Sequence, residues 1–351
     1  MNVLINALGI VDSGGLTVLK STLGEFNNKP LDKYYIVCND SDEIYKLIKE
    51  RGRGNNFVFL PYKNRGVFYR LYVENLKFRD IIKSRGISLV YNISGTRHFF
   101  SKVPQILKIQ NLLFFSKSLD KLFFKRRSFL LWIYKIYLKR VVFNIMIKKS
   151  KYIEIQSGHV AKCLSNYVNI DDKILFIKSD IDIMGASFSL PKSYNLSKKI
   201  KILYIVGPHF QSLHKNFQDF VSAMNLLVKT SIDFEINITL SERELHNSSY
   251  CIDNFKNRVN FFGYIDSVSK INELYSNNTI LISTSVVETI GLHVIDAITK
   301  GVVPIVPKED YAFSVYGKNI LKYEMFNANS LVNLIEKIVN SSHSEISKHI
   351  L

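Results

Sequence analysis

Glu288 and Asp296 frame the run Glu-Thr-Ile-Gly-Leu-His-Val-Ile-Asp, two carboxylates with Gly291 between them. Carboxylates suit the hydroxyls of a sugar, and the amides at a helix start favour phosphate. Earlier in the chain, Gly207-Pro-His-Phe-Gln-Ser-Leu-His-Lys215-Asn216 is a glycine turn that ends in a cation where a helix begins. Charge and N–H groups converge at such a point, which makes it a sound diphosphate site. The two stretches together describe chemistry on a ligand that is both phosphorylated and rich in hydroxyls.

Elements must hold these residues in place, and the pattern supplies them. Thr279-Ile-Leu-Ile-Ser reads as a buried parallel strand before Glu288. Val294, Ile295, Ala297 and Ile298 make a helical stripe after it, Lys300-Gly301 stops that helix, and Val302–Val306 starts another strand. The C-terminal half continues in the same way, with strands expected at Lys201–Val206, Phe234–Thr239 and Val259–Phe262. Its helices are expected at Asn216–Lys229, Ser267–Tyr275, Gly291–Lys300 and Ala328–Asn340. The N-terminal half alternates likewise, with strands at Val3–Leu8, Tyr34–Cys38, Phe57–Leu60, Leu89–Asn92, Gln105–Ile109, Tyr152–Ile155 and Ile174–Ile177. Alternation of this kind implies two parallel, doubly wound sheets, joined by a polar linker near Pro191.

The lysine loop, the glycine loop Val259-Asn-Phe-Phe-Gly263-Tyr-Ile-Asp266 and the Glu288–Asp296 run, in that order, resemble the motifs of retaining glycosyltransferases of the two-Rossmann-domain (GT-B) type, the group 1 or family 4 enzymes with a Glu-x7-Glu signature. The likeness is dense from Lys201 to Val306 and looser before. It implies an α/β GT-B fold with two Rossmann-like doubly wound parallel-sheet domains facing a central cleft. Residues 1–190 would be the acceptor side and 199–351 the nucleotide-sugar side, the last helix being a candidate to pack back on the first domain. By the same resemblance Lys215 and Glu288 are the catalytic residues. Lys215 would hold the donor diphosphate, Glu288 the sugar hydroxyls and Asp296 the ribose hydroxyls. Amides at Ile290, Gly291 and Leu292 would meet sugar and phosphate, with Thr289 standing where the family often has glycine. Tyr264, beside Gly263, would lie by the nucleotide base, and Gly14 and Gly15 would let backbone approach the donor phosphate.

The chain also departs from the family. The arginine of the lysine loop is missing, so His209 or His214 would serve in its place. Gln110 stands where a histidine usually lies near the reacting sugar, leaving Asn111 as the polar partner on the acceptor side. His293, where many relatives have proline, could approach the sugar or simply pack. Asp180-Ile-Asp182 could suggest a metal site, but its place before the linker matches the family's Asn-Gly-Val-Asp turn. No metal and no cofactor are expected, with a UDP- or GDP-linked sugar as donor substrate.

Composition sets the outer limits. The chain has 351 residues, 47% of them apolar, enough for two cores. Cys38, Cys163 and Cys251 are scattered, so neither a disulfide framework nor a zinc site is indicated. The N-terminus runs straight into a strand without a basic leader. The Leu8–Gly15 run fails as Gly-x-Gly-x-x-Gly, which disfavours a dinucleotide dehydrogenase. Net charge is +17, and 117–151 holds eleven Lys/Arg against one acid, Asp120, among many aromatic and aliphatic residues. Lysines interrupt that stretch too often for a spanning helix, whereas a basic, aromatic-rich amphipathic segment suits an anionic bilayer surface. Nothing resembling a nucleic-acid motif accompanies the charge.

The expected function is therefore transfer of a sugar, with retention and without metal, to a lipid-linked saccharide of bacterial surface polysaccharide or lipopolysaccharide synthesis. The expected location is cytoplasmic, peripheral on the inner face of the membrane. Two other readings stand beside it, a nucleotide-sugar epimerase of the same architecture and a catalytically silent sugar-nucleotide-binding subunit.

Overall fold

The structure is a computed structural model that describes residues 1–341 apart from 11–12, 28–31, 52–55, 64, 179–198, 208, 266 and 319. Asp180, Asp182 and the linker near Pro191 lie outside the described residues. Contacts divide the chain into two compact units, Met1–Phe115 with Leu130–Asp182, and Ser116–Phe129 with Ile183–Leu351.

The first unit holds a 7-stranded sheet of β1 (Asn2–Ala7), β2 (Lys33–Asn39), β3 (Phe57–Tyr62), β4 (Leu89–Asn92), β5 (Gln105–Ile109), β6 (Tyr152–Ile155) and β7 (Ile174–Ile177), in the order β3-β2-β1-β4-β5-β6-β7. Every described pairing is parallel. Strand residues alternate between the faces, Val3 and Ile5 packing into one core and Leu4 into the other. One ion pair lies inside this sheet. Lys108 and Glu154 are register partners on β5 and β6, their charged atoms 2.7 Å apart, and Tyr91 Oη donates to the same carboxylate at 2.7 Å. Fully sequestered and mutually satisfied, the pair is structural.

The second unit holds a 6-stranded parallel sheet of β8 (Ile200–Tyr204), β9 (Phe234–Ile238), β10 (Val259–Phe261), β11 (Ile280–Ile282), β12 (Val303–Pro307) and β13 (Leu321–Tyr323), in the order β10-β9-β8-β11-β12-β13. Ile202, Ile280 and Ile282 face the helices Phe217–Leu227 and Ala328–Asn340, while Leu203 and Leu281 face the helix Leu292–Thr299. The helix Ala328–Asn340 buries Leu331, Val332, Ile335 and Ile338 in the second unit's core. Strand order reverses between β8 and β11, so the loops leaving their carboxyl ends depart to opposite faces. A doubly wound sheet opens its ligand crevice at such a switch point.

The basic stretch is divided. Its first helix, Lys117–Lys125, is capped by Ser116, whose hydroxyl accepts from Leu119 N at 3.1 Å. It buries Leu119, Leu122 and Phe123 and packs against the turn Leu213–Lys215 of the second unit. The remainder runs as Phe129–Trp132, a π turn Ile133–Tyr137 and Leu138–Lys149, and from Leu130 onward it belongs to the first unit. Among the described residues no helix is long and apolar enough to cross a membrane.

Candidate active site at the second unit's switch point

The loop after β8 ends in the turn Leu213–Lys215, and Asn216 in left-handed conformation (φ 46°) then starts the helix Phe217–Leu227. Hydrogen bonds to its backbone carbonyls join this loop to the one after β11. Val286 N donates to the His214 carbonyl at 2.7 Å, and Thr284 Oγ1 donates to the Lys215 carbonyl at 2.7 Å. Thr284 is itself held by Tyr204 Oη at 2.7 Å from the end of β8, and Tyr311 Oη donates to the Ser285 carbonyl at 2.6 Å. Both loops are thus fixed to each other before any ligand arrives.

That scaffold places Lys215 Nζ 2.8 Å from Glu288 Oε1 and 3.5 Å from Ser285 Oγ. Burial alone would raise the Glu288 carboxyl. The Lys215 ammonium, with His293 and the Ser285 hydroxyl, outweighs burial and holds it at about 2. His293 Nε2 lies 3.0 Å from Ser283 Oγ. Burial brings both His293 and His214 down to about 4, with Lys215 pushing the same way. His214 is then neutral near pH 7, so in the ligand-free site it offers a hydrogen bond rather than the charge of the missing arginine. His209 is exposed nearby.

The anion-binding turn follows directly. Gly291 is the N-cap of the helix Leu292–Thr299 at φ 65°, ψ 62°, with no side-chain cap. The amides of Ile290, Gly291 and Leu292 have no acceptor among the described residues. A Cβ at Gly291 would lie 1.9 Å from Tyr316 Oη, so both backbone angle and space demand glycine. Gly291→Ala is expected to cost roughly 2–3 kcal/mol of stability, from left-handed strain plus that clash. A melting temperature equal to that of the unaltered protein would rule the clash out.

The histidines give a pH dependence whose sign can be worked out. Their ordinary value is 6.5 and their folded value about 4, so between these limits the unfolded chain binds more protons. Stability is complete above pH 6.5 and is lost as pH falls toward 4. Glu288, depressed from 4.5 to about 2, loses its contribution as pH falls from 4.5 toward 2, below the range from pH 7 to 4.5. The ligand-free melting temperature should fall from pH 7 to 4.5. His293→Gln should remove roughly 2 kcal/mol of that pH dependence, and an unaltered slope would show that His293 does not titrate on unfolding.

The other residues singled out from sequence are placed less closely. Asp296 is exposed on the helix Leu292–Thr299, near Tyr275 and Lys300, with no described bond to Lys215 or Glu288. Burial of its surroundings raises its carboxyl, and Lys300 opposes this. Thr289 is half-buried, and Tyr264 is 75% exposed just after Gly263, whose φ is 65°. Gly14 and Gly15 fall in the first turn of the helix Ser13–Asn27. Asn111 Oδ1 accepts from Leu113 N at 2.8 Å, fixing a turn, while the Gln110 side-chain nitrogen is buried with no hydrogen-bond partner among the described residues. Among the described residues no group of three His, Cys, Asp or Glu could hold a metal ion.

Sequence reasoning missed Ser283, Thr284, Ser285, Tyr204, Tyr311 and Tyr316. Three successive hydroxyls at the end of a buried strand were a readable signal, but nothing marked the tyrosines. The switch point of the first unit differs in kind. Gly9 N donates to Ser94 Oγ at 2.9 Å, and the space over Gly9 is filled by the Arg70 guanidinium. Arg70 bonds Glu74 at 2.9 Å and Thr96 at 2.8 Å, so protein groups occupy that position.

No protein-family model and no curated protein matches the chain. Solved structures do. WaaG, a glycosyltransferase involved in lipopolysaccharide biosynthesis, aligns with a TM-score of 0.66 at 13% identity, over 99% of this chain and 93% of that one. The chain has the GT-B fold. A glycosyltransferase from Rickettsia africae ESF-5 aligns with a TM-score of 0.63 at 14% identity, over 99% and 90% of the two chains. The UDP-GlcNAc 2-epimerase from Neisseria meningitidis bound to UDP-GlcNAc aligns at 0.58 and 11% identity, over 100% and 95%. Transferases and epimerases thus share this GT-B architecture, and the fold by itself does not choose between them.

Proposed function

We propose that this GT-B protein is a glycosyltransferase that moves a sugar from a nucleotide-sugar donor to a saccharide acceptor. The observation that carries the reading is the Lys215–Glu288 pair, 2.8 Å apart, set between two loops at the switch point beside the Gly291 amide turn. A diphosphate entering there meets an ammonium and backbone amides, which need no reorganisation to stabilise the charge growing on the leaving group. Glu288, ionised across the whole physiological range, holds the sugar's hydroxyls and faces the positive charge that builds as the glycosidic bond breaks. Asp296 takes the ribose hydroxyls, and Tyr264 lies by the base. His209 or His214 adds a donor to the diphosphate in place of the absent arginine.

The finer features rest on resemblance and composition. Transfer proceeds with retention and without metal, from a UDP- or GDP-linked sugar. The acceptor is a lipid-linked saccharide of bacterial surface polysaccharide synthesis, and the protein works peripherally at the inner face of the cytoplasmic membrane through the basic stretch 117–151. The epimerase reading is supported by neighbours of that activity, whereas the order of the lysine, Gly263 and Glu288 motifs favours transfer.

A thermal-shift panel of nucleoside diphosphates and nucleotide sugars in EDTA tests the donor site. A ligand at a hundred times its Kd stabilises by about 2.7 kcal/mol, so one base series should raise the melting temperature by several degrees. No shift with any nucleotide would contradict the reading. A shift that appears only when Mg²⁺ or Mn²⁺ is added would remove metal independence.

A further inference from the structure

Two helical stretches of the first unit leave apolar stripes uncovered. Along 130–149, Leu130, Tyr134, Leu138, Val141 and Ile145 recur every three or four residues, all exposed, with Leu130 at 80% and Tyr134 at 70%. The opposite side of the same helix buries Ile136, Arg140, Met146 and Ile147. The second stretch runs as Val67–Tyr72, a π turn Val73–Lys77 and Phe78–Ser84. It exposes Phe68, Leu71, Tyr72 and Leu76 while burying Val73, Glu74 and Phe78, and Phe68 is 88% exposed. Single exposed apolar residues are ordinary, but runs of them on one helical side are not.

The loop 97–100 connects the two stretches. Phe99 N donates to Asn75 Oδ1 at 3.3 Å in the second stretch, and Lys149 at the end of the first lies 5.5 Å from the Phe99 ring. Arg97 donates to the Lys149 carbonyl, and Phe100, next in the loop, is 75% exposed. Exposed cations accompany both stripes. Lys135, Lys139 and Lys148 are exposed on one helix, and Arg65, Arg79 and Lys83 on or beside the other. Of the acids in the second stretch, Glu74 is buried against Arg70, and Asp80 is 3.8 Å from Arg79.

We propose that these two helices and the Phe99–Phe100 loop between them form one docking face for an anionic lipid bilayer. Apolar side chains enter the boundary between headgroups and acyl chains, while the accompanying lysines and arginines lie level with the phosphates. The inference deepens the membrane-peripheral reading above and rests on it. What it adds is the stretch 67–84, which has no run of basic residues to mark it in the sequence. A second copy of the chain would cover the apolar stripes equally well, but it would bring like charge against like, whereas an anionic bilayer complements that charge.

The test is co-sedimentation of the full chain with vesicles of phosphatidylcholine containing phosphatidylglycerol, compared with phosphatidylcholine alone. Binding should require the anionic lipid and weaken at high salt. Phe68→Ser with Leu76→Ser should reduce it at least about tenfold, as should Leu130→Ser with Leu138→Ser. Arg65→Glu with Lys83→Glu, which alters only exposed charges, repeats the test should either serine pair melt early. The face is overturned if Phe68/Leu76 and Arg65/Lys83 variants bind as the unaltered protein does, since docking would then be confined to one helix. It is also overturned if the unaltered chain ignores the vesicles, or if it self-associates through Phe68 and Leu76 in their absence. Stabilisation by a nucleotide sugar, read on the same preparations, resides in the second unit and should be equal in all variants. Its persistence without vesicle binding would sink the docking face and leave the transferase reading standing.

Discussion

Lys215→Ala should weaken nucleoside diphosphate binding about ten- to a hundredfold, the value of a charge-assisted contact of roughly 1.5–3 kcal/mol. Transfer should slow by about 10²–10³ more, because this ammonium also meets charge that appears only as the donor bond breaks. The structure adds a second consequence. Lys215 is the ion-pair partner of Glu288 at 2.8 Å, and its removal leaves a largely buried carboxylate without the charge that keeps it ionised. The Glu288 carboxyl should move upward, and the ligand-free protein should melt earlier. Calorimetric titration with the nucleoside diphosphate, beside kcat under saturating donor, separates the effects. Unchanged affinity would remove this lysine from the diphosphate site.

Glu288→Gln should fail differently. It keeps shape and most hydrogen bonding but removes the charge beside the reacting sugar, so kcat should fall about a hundredfold or more while donor KM changes far less. Freed from its carboxylate partner, Lys215 should hold a bare nucleoside diphosphate at least as tightly as before. A merely helix-capping role is disfavoured, since the following helix is capped by Gly291 without any side-chain bond. Equal losses in kcat and in diphosphate affinity would make Glu288 an ordinary binding residue. A normal kcat with an earlier melt would make it structural.

The sheets were legible because their strands read as short, continuous apolar runs, as buried parallel strands do, and even the largely exposed edge strand Ile174–Ile177 keeps that pattern. Leu89–Asn92, Gln105–Ile109, Tyr152–Ile155 and Ile174–Ile177 are strands over the bounds that the pattern predicts. The three-residue β13 and the helix Asp310–Tyr316 are too short for periodicity to mark, and Tyr311 and Tyr316 went unnoticed with them. Lys215 and Glu288 were legible as separate groups. Their pairing was not, because it exists only once β11 lies next to β8 and Thr284 ties the two loops together. The basic stretch shows a complementary limit. Its amphipathic spacing was read as a single membrane-facing segment, and it does not tell that Leu119, Leu122 and Phe123 are buried with the second unit while Leu130 onward belongs to the first. The π turns Val73–Lys77 and Ile133–Tyr137 likewise depend on packing rather than on any local residue preference.

The most direct test of the transfer reaction is to follow nucleoside diphosphate release and sugar fate together, in EDTA, with the nucleotide sugar that stabilises the protein and a lipid-linked saccharide acceptor. The account predicts one nucleoside diphosphate released per sugar joined to acceptor, with both products lost together in Lys215→Ala and Glu288→Gln. Conversion of the nucleotide sugar to its epimer without acceptor, or tight binding with no release at all, would contradict it.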